Sequence, residues 1–428
     1  RRQELLRGKE HILKLWAHEI LRVFQDRLNS AADRDRFKGF LNEQLETIFQ
    51  MNYAEHCTTA GEDALFVDFL NENMAVYEEV TDFGKLRTYL NDKLAQYNMQ
   101  PKLIKMDLVL FKDAITHVAK IYRVLNLKRG HAFLVGVGGS GRHSLTRLAA
   151  FISQMNVFQL EVTKGFALKQ FREFLKVMYE MAAFRGKDKL KTVFVFSDND
   201  VVQESFLEDI QNMLNGGVVP NLYNAEELGK IREEIRRPFK KAGHTLETPD
   251  AMNEFFFNNI KDNLHLSICM SPIGQAFRDY CRMYPALINN TTIDWFMGWP
   301  QDALTEVAMR FIGKMELGDE LGAGLARLCA VAHSTTTPSA EAMKEELKTN
   351  LNRPWQEGWD AKHVWLMSFS EKGGAFTLEG GAQSDSDATQ FALRMQASMF
   401  FTKISPKGGG EVTDKNTGEV YFEHPVEA

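Results

Sequence analysis

The chain has 428 residues, of which 44% are hydrophobic and 25% charged, and its 51 Lys+Arg against 57 Asp+Glu leave a formal net charge of −6. At about 150 residues per domain this allows two to four domains, and the balance excludes a mostly disordered chain and a small disulfide scaffold. An acidic surplus argues against a nucleic-acid partner, and no apolar run approaches the ~18 residues that span a bilayer, so no membrane partner is expected.

Cys57, Cys269, Cys281 and Cys329 form no CxxC pair and no metal-ligand spacing, and read as reduced, mostly buried thiols. The opening RRQELLRGKEH is charged and helical in character, which is no secretory signal. A chain that starts in mid-helix without Met reads as a piece of something longer.

Residues 1 to about 50 are expected to be helical. Ile12, Leu15, Trp16, Ile20 and Val23 give a helix-period stripe, and Phe37, Phe40 and Leu41 begin a second helix after the polar break NSAADRDR. The apolar run ALFVDFL comes next, then a helix around Leu86 and Leu90, then a longer one bearing Leu108, Phe111, Ile115, Val118 and Tyr122. Strand and helix then alternate. HAFLV, VFQLEV, TVFVF, LHLSICM and TTIDWF are strand candidates, and most have helical stretches between them, as parallel crossovers require. Ala303, Leu304, Val307, Ala308 and Phe311 mark a helical region over 301–350, which GWPQDAL opens with Pro300 near its first turn. Residues 351–428 are glycine-punctuated and carry no assignment, apart from β-like runs such as GEVYFEH.

The strongest chemical signal is Gly136-Val137-Gly138-Gly139-Ser140-Gly141-Arg142-His143-Ser144, between a buried strand and an amphipathic helix. Glycines there let backbone N–H groups turn inward around phosphate oxygens at a helix N-terminus. The full pattern ends in Gly-Lys-Ser/Thr, the lysine reaching the outer phosphates and the hydroxyl binding magnesium. Here Arg142 stands for the lysine and His143 for the hydroxyl residue, with Ser144 one step on. Arginine keeps the charge in a bulkier planar head.

A hydrophobic strand ending in Asp-Glu should hold magnesium and polarise water. The chain instead has TVFVF succeeded by Ser197-Asp198-Asn199. Either Ser197 takes the aspartate position and Asp198 the glutamate position, or Asp198 holds magnesium and Asn199 replaces the base. Neither register supplies the glutamate.

These blocks resemble the dynein heavy chain, specifically the fourth AAA+ module of its motor ring, with the axonemal branch nearest. HAFLVGVGGSGRHSLTRLA resembles the phosphate loop, and TVFVFSDNDVVQESFLEDIQNMLNGGVVPNLY the magnesium-site strand with its succeeding helix and loop. LSICMSPIGQAFRDYCRMYPALINNTTIDWFMGWPQDAL resembles the sensor strand, the arginine-bearing helix and the entry to the lid, and LWAHEILRVFQDRL the last helices of the third module. The resemblance covers roughly residues 1 to 350.

The resemblance implies an α/β AAA+ P-loop NTPase module, a parallel five-stranded sheet between helices with a helical lid. Its parts would be residues 1–50 as the helical end of the preceding module, 51–300 as the large α/β domain and 301–350 as the lid leading toward a stalk base. It implies ATP or ADP at Gly136–Ser144, with Mg2+ near Ser144, Ser197 and Asp198. It also implies Ser271 as the polar group of the sensor strand, where Asn is more usual, and Arg278 or Arg282 as a finger toward a neighbouring module. Arg22 would act on the preceding module's nucleotide or be a solvated or ion-paired arginine. The implied partners are other AAA+ modules of the ring and, through the full motor, intermediate and light chains and microtubules in the cytoplasm and ciliary axoneme. The implied role is a regulatory nucleotide-binding module that hydrolyses weakly or not at all; the alternatives are an active ATPase using Arg142 and Asp198, or a non-catalytic scaffold. No heptad run appears after Asn350, so a stalk is not expected within this chain.

Two further features read as structural. The basic run LGKIREEIRRPFKKAGH is interleaved with Glu233 and Glu234 and reads as a solvated helix face. Among the histidines only His143 has a positional reason to touch ligand, and Trp295 and Trp299 read as core.

Overall fold

The computed structural model describes residues 8–336 apart from 29, 71–75, 186–190, 246, 274 and 314–318, together with five strands beyond residue 363. The chain divides into two compact units, Arg1–Thr336 and Thr337–Ala428.

The first unit opens with α1 (Lys9–Val23), a 3-10 turn (Gln25–Arg27), α2 (Ala31–Phe49) and α3 (Tyr53–His56). The face of α1 differs from the expected one. Leu13, Ala17 and Leu21 are buried, whereas Ile12, Trp16 and Val23 are 45, 41 and 49% exposed. Both stripes share the helical period; the side carrying Ala17 packs against Leu41 and Leu45 of α2 and against Tyr53 and Cys57. Two antiparallel ribbons come next, β1 (Thr58–Thr59) with β2 (Glu62–Asp63) and β3 (Phe66–Val67) with β4 (Glu78–Glu79).

Asp82 caps α4 (Phe83–Asn98) by accepting from the Lys85 amide, and α5 (Lys112–Leu125) buries Ile115, Val118 and Leu125 along one stripe. Leu108 and Phe111, expected on that helix, precede its first residue, Phe111 as its extended N-cap. The α/β alternation then runs β5 (Ala132–Gly136), α6 (Arg142–Ile152), β6 (Asn156–Gln159), α7 (Leu168–Glu180), β7 (Thr192–Ser197) and α8 (Ser205–Gly216). After α9 (Ala225–Lys241) and α10 (Pro249–Asn263) come β8 (Leu264–Met270), α11 (Gln275–Met283), α12 (Ala286–Asn289) and β9 (Thr292–Phe296). The unit closes with α13 (Gln301–Ile312) and α14 (Asp319–Thr336).

The five strands read from the sequence form one parallel sheet in the order β6-β7-β8-β5-β9. Period-two alternation sorts its side chains between two cores. Phe194 and Phe196 of β7 join Phe171, Phe206 and Phe256 on one face. Val193 and Val195 join Ile115, Val118 and Leu148 on the other. Because β5, earliest in sequence, lies between β8 and β9, the connections diverge at its C-terminal end and open a crevice there. Two of the four cysteines, Cys57 and Cys269, are buried; all four are free thiols.

The second unit is an antiparallel sheet of β10 (Val364–Lys372), β11 (Ala375–Ala382), β12 (Ser405–Pro406), β13 (Gly410–Thr413) and β14 (Val420–Glu427). The order is β10-β11-β14-β12, with β13 also paired to β14. The β-like run GEVYFEH thus contributes to β14, while residues 337–350 of the expected stalk approach lie outside the described residues.

Candidate nucleotide site

β5 is buried throughout and stops at Gly136, where the chain turns into the glycine loop. A Cβ on Gly136 would stand 2.6 Å from the Phe296 Cβ of the adjacent strand, so only glycine lets β5 and β9 close at this end. Gly139 and Gly141 have φ of +79° and +86°, the left-handed region that glycine enters without cost. Gly141 immediately precedes α6, whose first-turn amides have no partner within the helix.

A cavity of about 490 Å³ opens over this loop. Gly139, Ser140, Gly141 and Ser144 form its polar floor. Leu108, Val109 and Trp299 form an apolar wall, and Val307 and Phe311 of α13 also line it. Trp299 meets Phe111 edge-on, with centroids 5.1 Å apart. Trp295 and Trp299, read from the sequence as core, therefore line this cavity as well as packing against core residues.

Three buried polar atoms at the loop lack hydrogen-bond partners among the described residues: Ser140 Oγ, Arg142 Nη1 and His143 Nε2. Buried polar groups normally have partners; others without one occur elsewhere among the described residues, such as Tyr179 Oη and Gln211 Oε1, and these three are distinguished by their clustering at the glycine loop. The Arg142 side chain is buried and folds back toward the loop, Nη2 lying 3.4 Å from the Val137 carbonyl. Burial and the cations of Arg142 and Arg147 lower the His143 pKa, while Asp200 and Asp198 oppose the shift. Polar floor, left-handed glycines, free helix amides and orphan donors together fit a phosphate chain.

At the end of β7, Ser197 lies beside Cys269 of β8 in register. The Ser197 hydroxyl and amide both donate to Asp200 Oδ2, at 2.8 and 2.7 Å. Asp200 is absent from the residues that the sequence motifs single out; its place three residues after Ser197 in a capping turn is the signal that marks it. Asp198 is half-buried, accepting the Asn199 amide at Oδ1 (3.1 Å) and the Ser271 amide at Oδ2 (2.8 Å). Ser271 Oγ accepts from the Ile273 amide at 3.3 Å. Asp198 and Ser271 are thus brought together, and both stand outside the cavity lining, as do Ser197, Arg142 and His143. Among the described residues no group of three or more His, Cys, Asp or Glu is placed to hold a metal ion. Asp198 keeps free lone pairs on both oxygens, which suits a magnesium ion carried largely by phosphates.

Arg278 and Arg282 are one turn apart on α11, both away from the cavity. Arg22 is buried and lies 2.8 Å from Asp26, the ion-paired alternative.

The histidine at the cavity is His117, where the sequence pointed to His143. His117 lines the wall, stacks on Phe296 at 3.9 Å and contacts Asp294 at 2.6 Å. Lys120, one turn on, reaches Asp294 at 3.2 Å and Asp26 at 3.0 Å. Burial works to raise the Asp294 pKa, but His117 and Lys120 beside it hold the carboxyl well below the usual range. The visible signal is an aspartate between Ile293 and Trp295 in the strand run TTIDWF, with His and Lys three apart on one face of α5.

Residues 106–352 match the family model described as the P-loop containing dynein motor region D4, and residues 361–422 match that of a fimbrial assembly protein (PilN). The chain is 42% identical over 345 residues to the Dynein-1-beta heavy chain, flagellar inner arm I1 complex, of Chlamydomonas reinhardtii, covering 80% of this chain and 8% of that protein. It is 40% identical over 342 residues to dynein axonemal heavy chain 2 of Mus musculus (79% of this chain, 8% of that one). Dynein axonemal heavy chain 6 of Homo sapiens is 36% identical over 377 residues, 86% of this chain and 9% of that one. The chain therefore spans about 8% of the length of the first of these relatives. No helix among the described residues is long and apolar enough to cross a membrane. With a glycine loop between β5 and α6, a parallel sheet opening a crevice at β5 and a model match over most of that unit, the chain belongs to the P-loop-containing dynein motor region D4 family.

Proposed function

We propose that this chain is a regulatory, nucleotide-binding AAA+ module of an axonemal dynein motor, one that holds ATP or ADP and hydrolyses it weakly or not at all. The observation that carries the reading is the set of orphaned polar atoms, Ser140 Oγ, Arg142 Nη1 and His143 Nε2, buried at a glycine loop under a 490 Å³ cavity. The loop amides and Ser140 hold phosphate oxygens, and the apolar wall of Leu108, Val109 and Trp299 takes the base. Magnesium, when bound, neutralises phosphate charge, with Ser144 and Asp198 as its protein ligands.

Weak turnover is the consequence of the carboxylates. Asp198 sits just past the C-terminal end of β7 with one oxygen on the Ser271 amide, and the buried Asp200 is engaged by Ser197. Neither side chain is a glutamate long enough to reach across and polarise water. Arg278 or Arg282, both on α11 and outside this chain's own cavity lining, would serve a neighbouring module's nucleotide. Within a whole motor the module would sit in a ring with other AAA+ modules, and microtubules and accessory chains would be partners of that whole protein.

Loading the purified chain with labelled ATP, with and without magnesium, tests the reading. Retained ATP without phosphate release is the expected result. Turnover abolished by Asp198→Ala assigns an active ATPase instead, and no retained nucleotide at millimolar ATP leaves a scaffold.

A further inference from the structure

We propose that Arg34 of α2 is a nucleotide-contacting residue, which makes the N-terminal helical pair part of the binding site. The proposal rests on the nucleotide reading above and identifies a phosphate-bearing ligand, a nucleoside di- or triphosphate, as what Arg34 recognises.

Arg34 lies where the 490 Å³ cavity meets a neighbouring cleft of about 830 Å³, bordering both together with Thr116 and Lys120 of α5. Its Nε donates to the Leu28 carbonyl at 2.8 Å, which orients the planar head. Among the described residues neither Nη forms an ion pair. The other basic side chains of this wall are already committed: Lys120 to Asp26 and Asp294, and His117 to Asp294. Arg34 is therefore the cation here with its charge unspent, and a guanidinium with two free N–H arms matches a phosphate group.

The placement of α2 is built in. Between α1 and α2, Arg27 Nη2 donates to the Thr291 carbonyl at 3.0 Å, and Trp295 Nε1 donates to the Arg27 carbonyl at 3.2 Å. Asp26 in the same turn takes Lys120. These bonds moor the turn to β9 and α5 at the flank of the cavity, shortly before α2 begins to carry Arg34 inward. A bound nucleotide would then join the helical pair to the α/β domain through its phosphates.

Calorimetric titration of the full chain with ATP, ADP and adenosine tests this. Arg34→Ala should weaken ATP and ADP about tenfold or more, the worth of a charge-assisted bond, and leave adenosine affinity unchanged. Arg34→Lys, which keeps a donor and the charge, should recover part of the loss. Arg36→Ala, exposed on the same helix, should bind as the unaltered chain does. An unchanged unfolding midpoint without nucleotide separates the effect from misfolding. ATP affinity of Arg34→Ala within twofold of the unaltered chain overturns the proposal, as does an equal loss for adenosine. If the unaltered chain binds neither ATP nor adenosine, the nucleotide reading itself falls, and this proposal with it.

Discussion

Asp198 and Ser271 tie the C-terminal ends of β7 and β8 together, the Ser271 amide donating to Asp198 Oδ2 at 2.8 Å. One carboxylate thus serves as a structural acceptor and as the acid proposed to hold magnesium. The two roles separate by substitution. Asp198→Asn keeps an acceptor for the amide and should leave stability nearly unchanged, while Asp198→Ala strands a part-buried N–H and should cost about 1–2 kcal/mol in urea unfolding. Both should abolish the tightening of ATP binding by magnesium. If Asp198→Asn retains that tightening, the carboxylate is no metal ligand.

Gly136→Ala should be the most damaging glycine change in the loop. Its Cβ would stand 2.6 Å from the Phe296 Cβ and 3.0 Å from Ser140 Oγ, and relieving such overpacking costs about 1–3 kcal/mol. Gly141→Ala, forced to φ of +86°, should cost about 1–2 kcal/mol through backbone strain. Gly138 has open space around it, so its alanine variant should unfold like the unaltered chain. Chemical denaturation of the three variants gives the order directly.

Acid should destabilise the fold below about pH 6.5. His18 donates from Nδ1 to the Ala64 carbonyl at 2.8 Å and meets the Tyr77 hydroxyl at Nε2, so the neutral ring is fully used. Burial, then Arg22, pushes its pKa down to about 3. His131 takes the Leu266 amide on Nδ1 at 3.0 Å, and burial and His265 push it down to about 4. Both are depressed in the fold, so between those values and the ordinary 6.5 the unfolded chain binds more protons and stability falls as pH falls. Each histidine should contribute about 1.4 kcal/mol per pH unit within that window. His131→Asn keeps an acceptor for Leu266 and should reduce the measured slope by about one proton; an unaltered slope would refute the assignment.

Asp294 should be among the most sensitive positions outside the loop. Its buried carboxylate pairs with Lys120 and contacts the His117 ring, and Asp294→Ala leaves both without that partner. Removing one partner of such a cluster costs about 3–5 kcal/mol. The variant should also bind ATP more weakly even where folded, since His117 loses its anchor at the cavity wall. A thermal shift of only a degree or two would show that the network carries little of the fold's stability.

Local chemistry is legible in the chain without its fold. Five apolar strand runs, the glycine loop and the amphipathic helix after it were all legible, because period-two and period-3.6 patterns are set by what each segment must bury. Orientation and long-range pairing, including the strand order β6-β7-β8-β5-β9, were decided only by tertiary structure. On α1 the stripe of Ile12, Trp16 and Val23 and the stripe of Leu13, Ala17 and Leu21 fit a helix equally, and only the packing partner selects which one is buried. His143 stands beside the motif and His117 far from it, yet His117 reaches the cavity, since α5 lies against β9 across 177 residues of chain. Likewise Arg34 is an ordinary arginine on a polar helix until the bonds of Asp26 and Arg27 bring it to the cavity's edge. Charge can be counted along a chain, but which charges meet depends on elements distant in sequence, and that is what the fold supplies.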